Sequence, residues 1–239
     1  KEMLPLMSKP IIQYAVEEIT ASGVKEIVFI IAHGKEAIVD YFNPDPALET
    51  FLVAKGNTSR LREIRALPRM AHFSHVYQSA PLGLGHAVGM AKEAVGNEPF
   101  AVVLPDDIVD SEVPVLKQML EIYKKHPGNI LLVEKCQPED TVRYGIIDAD
   151  TVAPGVFKVK HLVEKPKPEY APSNLGIVGR YILMPEIFDA IAHTKPGKDG
   201  EIQLTDAINL LLETQPVYAC EFEGVRHDTG TPEGWLKAN

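Results

Sequence analysis

The sequence predicts an α/β fold: a doubly wound, mostly parallel central sheet with a small antiparallel subregion. Three observations point to it. Unbroken apolar runs recur at Ile27-Val28-Phe29-Ile30-Ile31, Phe100-Ala101-Val102-Val103-Leu104 and Ile130-Leu131-Leu132-Val133. Such runs suit strands covered on both faces, whereas a strand with one wet face alternates. Helical stretches at 85–94 and 115–125 lie between the runs, and that alternation favours right-handed crossovers and a ligand crevice at the carboxyl ends of the strands. After Glu134 the pattern loosens into short strands with turns, the expected antiparallel part.

In chain order, Ser8-Lys9-Pro10 opens a helix with proline at an early position. Ile12, Val16 and Ile19 continue it at spacings of four and three, and Gly23 stops it. The segment 43–70 is polar and charged and holds Pro44, Pro46 and Pro68, as expected of a surface excursion or short helical insert without chemistry. Tyr144-Gly145-Ile146-Ile147-Asp148 and 156–163 read as short strands, 204–213 as a helix and 217–222 as a strand. There is no internal repeat, low-complexity tract or long linker, so residues 1–239 are expected to form one domain.

Composition narrows the function. With 239 residues, 45% of them hydrophobic, the chain can bury a sizeable core. A formal charge of -9 argues against a nucleic-acid binder, which needs a basic surface to displace counterions, but leaves room for a small anionic ligand. Cys136 and Cys220 lie far apart and outside any metal-ligand spacing, as expected of ordinary thiols in a reducing compartment. No apolar run approaches the ~20 residues of a membrane span, and the expected location is the cytoplasm.

Chemistry is expected where strands end. Asp106 and Asp107 follow Pro105 at the end of the 100–104 strand, the ligand edge of an open α/β sheet. Mg2+ takes one or two protein carboxylates together with substrate phosphates, and Asp228, in His227-Asp228-Thr229-Gly230-Thr231, is the second candidate. Either aspartate alone could equally cap a helix or close a turn. Gln78-Ser79-Ala80-Pro81-Leu82-Gly83-Leu84-Gly85-His86 offers glycines that permit close backbone approach to a flat or anionic ligand. Val88 stands where a dinucleotide fingerprint needs its third small residue, which disfavours an NAD site. In Val163-Glu164-Lys165-Pro166 the glutamate can accept sugar hydroxyls and the lysine can meet a phosphate, or the two can form a solvated ion pair. No Gly-x-Ser-x-Gly elbow or Cys/His nucleophile arrangement supports covalent catalysis.

Taken in order, several segments resemble the bacterial UTP–glucose-1-phosphate uridylyltransferases, a branch of the sugar-phosphate nucleotidyltransferases. They are Lys1-Glu2-Met3-Leu4-Pro5, Lys9-Pro10-Ile11-Ile12-Gln13-Tyr14, Gly83-Leu84-Gly85-His86-Ala87-Val88, Leu104-Pro105-Asp106-Asp107, Tyr144-Gly145 and Val163-Glu164-Lys165-Pro166. Pro172-Ser173-Asn174-Leu175, Gly179-Arg180-Tyr181 and Glu201-Ile202-Gln203-Leu204-Thr205-Asp206-Ala207-Ile208 complete the set. The match runs through most of the chain, and 172–175 and 201–208 point most specifically to the uridylyltransferase branch.

The resemblance implies a Rossmann-like nucleotidyltransferase fold, Mg2+ as cofactor, and UTP, glucose 1-phosphate, UDP-glucose and pyrophosphate as ligands. It implies that Gln78 and Gly83 read the uracil, that Lys1 contacts substrate phosphate, and that Asp106 with Asp228 holds the metal. Gly145, Glu164 and Gly179 would line the glucose pocket and Lys165 would hold the sugar phosphate. A homodimer or homotetramer is implied as well. The family's glycine-rich nucleotide loop would precede Lys1 and its C-terminal end would follow Asn239, so the sequence is expected to span the domain without these parts. Two other readings are a sugar-nucleotide binding module without turnover and a glucose-1-phosphate thymidylyltransferase, which has the two aspartates and Val-Glu-Lys-Pro but less of the later pattern.

Overall fold

Pro10, with φ near −68°, stands at the N-cap of the first helix, where a missing N–H costs nothing, and Gly23 leaves its C-terminal end at a φ of 94° that only glycine adopts freely. The computed structural model describes residues 1–197 and 200–239. A small hairpin of β1 (Pro5–Leu6) and β2 (Lys9–Pro10) leads into α1 (Ile11–Ala21), β3 (Glu26–Ile31), α2 (Ala37–Tyr41), α3 (Pro46–Ala54), α4 (Thr58–Ala66) and β4 (His72–Tyr77). Then come α5 (Leu84–Gly89), α6 (Lys92–Val95), β5 (Phe100–Val103), β6 (Asp107–Asp110), α7 (Val115–Lys125) and β7 (Asn129–Lys135). The remainder is β8 (Gly145–Ala153), β9 (Val156–Glu164), β10 (Leu175–Leu183), α8 (Ile187–His193), α9 (Leu204–Leu211), β11 (Val217–Cys220), β12 (Val225–Asp228) and α10 (Pro232–Ala238).

Six strands form the largest sheet, in the order β5-β10-β7-β11-β9-β8. The α/β class is as expected, and β8 with β9 is the antiparallel subregion. The sheet as a whole is mixed rather than mostly parallel. Among the described residues the parallel ladders are β3 with β4 and β7 with β11, and the others are antiparallel. The expected cover on both faces holds for β7 alone of the three runs, since β3 alternates buried with half-buried residues and β5, at the sheet edge, holds no buried residue; an apolar run reports a strand, and its surroundings decide the rest. Burial does not report strand direction: β10, antiparallel to β5 and β7, is buried along its whole length. The expected helix at 85–94 is two short helices, α5 and α6, interrupted after Gly89, where a Cβ would press on Ile191 of α8 at 3.2 Å. The segment 43–70 holds α3 and α4, as anticipated for an insert.

Strand β7 explains why the sheet needs helices on both sides. Leu131 and Val133 point into one cluster with residues of α8 and α9, while Ile130 and Leu132 point into another with Val115, Leu116 and Met119 of α7. Each such fully buried side chain contributes about 1.5–3 kcal/mol. A third cluster gathers Ile12 and Val16 of α1, β3 and the stacked rings of Phe29, Phe42 and Phe73. Ile19 of α1 touches both the second and third clusters. Among the described residues no helix is long and apolar enough to cross a membrane.

Candidate functional site

Strand β5 ends at Val103, and Leu104-Pro105-Asp106 turns the chain into β6. Strand β6 pairs with β12 in the register Asp107↔Asp228, so residues distant in sequence meet at one strand end. The Asp106 carbonyl accepts the Thr229 N–H at 2.8 Å and its hydroxyl at 2.9 Å, and Asp228 Oδ1 accepts the Gly230 N–H at 2.9 Å. A Cβ built on Gly230 would stand 3.0 Å from Asp228 Oδ1 and 3.2 Å from Asp106 Oδ2. The two carboxylates therefore flank Gly230, which a larger residue could not replace without displacing them. Lys1 Nζ reaches Asp106 Oδ2 at 2.5 Å, and Arg143 forms an ion pair with Asp228. Burial works to lower the Lys1 pKa, but the hydrogen bond and charge of Asp106, with Glu2 and Asp228, raise it overall.

Asp106 closes the turn and Asp107 opens β6, and the two carboxylates have different partners. While Asp106 faces Lys1, Asp107 is buried, with Oδ1 accepting from Arg226 Nε at 2.6 Å and Oδ2 from the Gly179 N–H at 2.9 Å. Arg226 also reaches Glu134 Oε2 at 3.2 Å and the Tyr144 hydroxyl at 3.3 Å, and its guanidinium lies 5.0 Å from the Tyr144 ring centre. Burial would lower the Arg226 pKa, yet Asp107 and Tyr144 outweigh it and the guanidinium is held charged. Gly179, on β10, lies under the strand end. Its carbonyl accepts the Leu104 N–H at 2.8 Å, and a Cβ there would meet Asp107 Oδ2 and Leu104 Cβ at 2.6 Å.

Two further groups hold the other candidate residues. Gln78, just past β4, donates to the Gly83 carbonyl at 3.2 Å and lies 3.0 Å from His86 Nδ1. Gly83 enters α5 at a φ of 94°, and a Cβ on Gly83 or Gly85 would come within 2.8 or 2.7 Å of the Ile202 carbonyl. Gly145 on β8 pairs with Glu164 on β9, and Thr205 donates to Glu164 Oε2 at 2.9 Å. Lys165 follows with a left-handed φ of 46°, its N–H bonded to the Tyr144 carbonyl at 3.0 Å and its ammonium 3.5 Å from Glu164 Oε1.

The segment 201–205 thus touches both groups, Ile202 against the glycines at 83 and 85 and Thr205 against Gly145 and Glu164. Sequence reasoning assigned that segment no ligand-binding role, nor Arg143, Tyr144 and Arg226, which tie the start of β8 to Asp228 and Asp107. For 201–205 the available signal was its density of motif residues; for the arginines there was none, because their partners lie 85 and 119 positions away.

Among the described residues no three His, Cys, Asp or Glu side chains form a metal cluster. A facing pair of carboxylates without nitrogen or sulfur ligands is the donor set of a hard cation that completes its shell with water and phosphate oxygens, so these residues fit Mg2+. A cavity of about 300 Å³ lined by Glu186, Asp189, Ala190, His193, Leu210, Leu211 and Thr214 contains none of the candidate residues.

The whole chain, residues 1–239, matches the family described as nucleotidyl transferase. A UTP–glucose-1-phosphate uridylyltransferase of Bacillus subtilis (strain 168) is 45% identical over 236 residues, covering 99% of this chain and 81% of that protein. The crystal structure of a UDP-glucose pyrophosphorylase complexed with UDP-glucose is 40% identical, with a TM-score of 0.90 over 100% of this chain and 88% of that one. A UTP-bound UGPase from Acinetobacter baumannii is 36% identical, with a TM-score of 0.91 over 99% of this chain and 83% of that one.

Proposed function

The chain belongs to the nucleotidyl transferase family, and we propose that it transfers uridylyl from UTP to glucose 1-phosphate, forming UDP-glucose and releasing pyrophosphate. The observation that carries this reading is the pair Asp106 and Asp228 at one strand end, with Arg143, Arg226 and Tyr144 linking that end to the strands of Gly145, Glu164 and Lys165, and the segment 201–205 linking those in turn to Gly83. Likeness to an enzyme named for this reaction supports it.

A phosphate oxygen of glucose 1-phosphate attacks the α-phosphorus of UTP in line, and the bond to pyrophosphate breaks. The attacking oxygen is already ionised, so no protein base or nucleophile is needed. The work left to the protein is to align two polyanions and offset their repulsion. Asp106 and Asp228 would hold Mg2+, which would supply charge neutralisation and orientation at the phosphates. Lys1 meets the nucleotide phosphates and Lys165 the sugar phosphate. Gln78 and Gly83 hydrogen-bond the uracil edge, selecting against bases that leave those groups unpaired. Glu164 accepts glucose hydroxyls, while Gly145 leaves room for Thr205 beside Glu164 and Gly179 leaves room for Asp107 and Leu104 under the strand end. We assign residues 1–239 to one nucleotidyltransferase domain, working in the cytoplasm as a homodimer or homotetramer.

The left-handed backbone at Lys165 costs about 1 kcal/mol or more relative to glycine. Lys165→Gly is therefore expected to leave thermal stability unchanged or slightly raised while increasing KM for glucose 1-phosphate by about tenfold or more. Unchanged KM in a folded variant would detach Lys165 from the sugar phosphate. The reaction itself is tested by pyrophosphate release from UTP and glucose 1-phosphate with Mg2+, using the natural full-length protein, with dTTP and EDTA arms. Turnover that needs both UTP and Mg2+ supports the reading, preference for dTTP replaces it with thymidylyl transfer, and ligand binding without turnover replaces it with a binding module.

A further inference from the structure

Arg180 sits in the middle of β10 with 1% exposure, and all five of its N–H donors are engaged. Nε and Nη2 form a fork on Glu18 of α1 at 3.0 and 2.8 Å. Nη1 donates to the carbonyls of Leu104 at 2.8 Å and Gly179 at 3.0 Å, and Nη2 also donates to that of Asp107 at 2.7 Å. Leu104 and Asp107 are the two ends of the Pro105-Asp106 turn, so one planar group spans the turn that presents Asp106.

Burying a guanidinium and a carboxylate costs several kcal/mol per ion before their attraction is counted, and apolar residues of similar volume often serve stability as well. Stability is thus a poor account of this pair. Beside it lies a cavity of about 220 Å³ lined by Glu18, Arg180, Tyr14, Ile108, Val109 and Ser111, among others. Glu18 Oε1 also accepts the Leu116 N–H at 3.2 Å, which fastens the same carboxylate to the start of α7.

We propose that Arg180 is a positioning residue for the metal-dependent reaction: it holds the turn carrying Asp106 at a set height and, through Glu18, ties that turn to α1, the helix that follows the segment bearing Lys1. The inference rests on the uridylyl-transfer reading of this site. Its fork geometry matters as well as its charge, because lysine is a point donor that cannot hold a carboxylate and two carbonyls in one plane.

The test compares native protein, Arg180→Lys and the paired Glu18→Met/Arg180→Met, all at full length. Thermal unfolding, steady-state kinetics and Mn2+ binding measured by electron paramagnetic resonance with UDP-glucose present are the readouts. Both variants are expected to melt cooperatively and to weaken Mn2+ binding by about tenfold, the usual effect of losing a group that orients a ligand. Their kcat should fall by about a hundredfold, the scale of a misplacement near 1 Å, while KM for glucose 1-phosphate stays within about twofold. Native kcat and native Mn2+ affinity in either folded variant would overturn the proposal. Should the paired variant fail to fold, Arg180→Lys, which keeps the charge facing Glu18, decides the question. Absence of UTP turnover in the native protein would instead defeat the functional reading, so the two failures are distinguishable.

Discussion

Asp106→Ala should lower kcat by about a thousandfold or more, since a bound metal contributes several kcal/mol of charge stabilisation and each 1.36 kcal/mol is about tenfold in rate. The fold should survive. The Asp106 side chain is partly exposed, and its carbonyl keeps both bonds from Thr229 in the variant. What is lost is one of the two carboxylates around Gly230 and the partner of Lys1. Pyrophosphate release measures the first consequence and Mn2+ binding with UDP-glucose the second, with thermal unfolding as the control. Asp228→Ala should behave alike and also free Arg143. Substantial Mg2+-dependent turnover in both variants would remove the metal assignment.

The largest effect on stability is expected at Arg226. Arg226→Met would leave Asp107, with 12% of its side chain exposed, buried without its cation, and breaking a buried pair from one side costs about 3–5 kcal/mol. For a chain of this size each kcal/mol lowers the melting temperature by about 2–4 °C, so a drop on the order of 10 °C should follow. Activity should fall too, because Arg226 lies on β12 two residues before Asp228 and ties that strand to Asp107 and Tyr144. Asp107→Asn combined with Arg226→Met should recover part of the loss, and the non-additivity measures the coupling. A melting temperature within 2 °C of native for Arg226→Met, the effect of about 1 kcal/mol or less, would show that the pair is not what secures β12.

The helix at 115–125 was legible to the residue, because its apolar spacing and flanking prolines and glycines are local signals. Strand β10 was not recognised, although it is the most buried strand. Its run carries Gly176, Gly179 and Arg180, and a charged residue in a strand core is intelligible only once Glu18 and the Leu104, Gly179 and Asp107 carbonyls are seen around it. Strand β12 reads Val-Arg-His-Asp and resembles a polar loop until β6 pairs with it.

By itself the sequence determined the α/β class and the strands β3, β5 and β7, and singled out the acidic residues at 106 and 228 as candidates, because apolar runs, helical periodicity and motif order are written in consecutive residues. Only the tertiary structure decided that the sheet is mixed, that Asp107 is fastened inward while Asp106 faces Lys1, and that Asp228 arrives beside it on β12. Strand direction, pairing register and the partners of buried charges arise from contacts between residues far apart in the chain, and no local pattern encodes them.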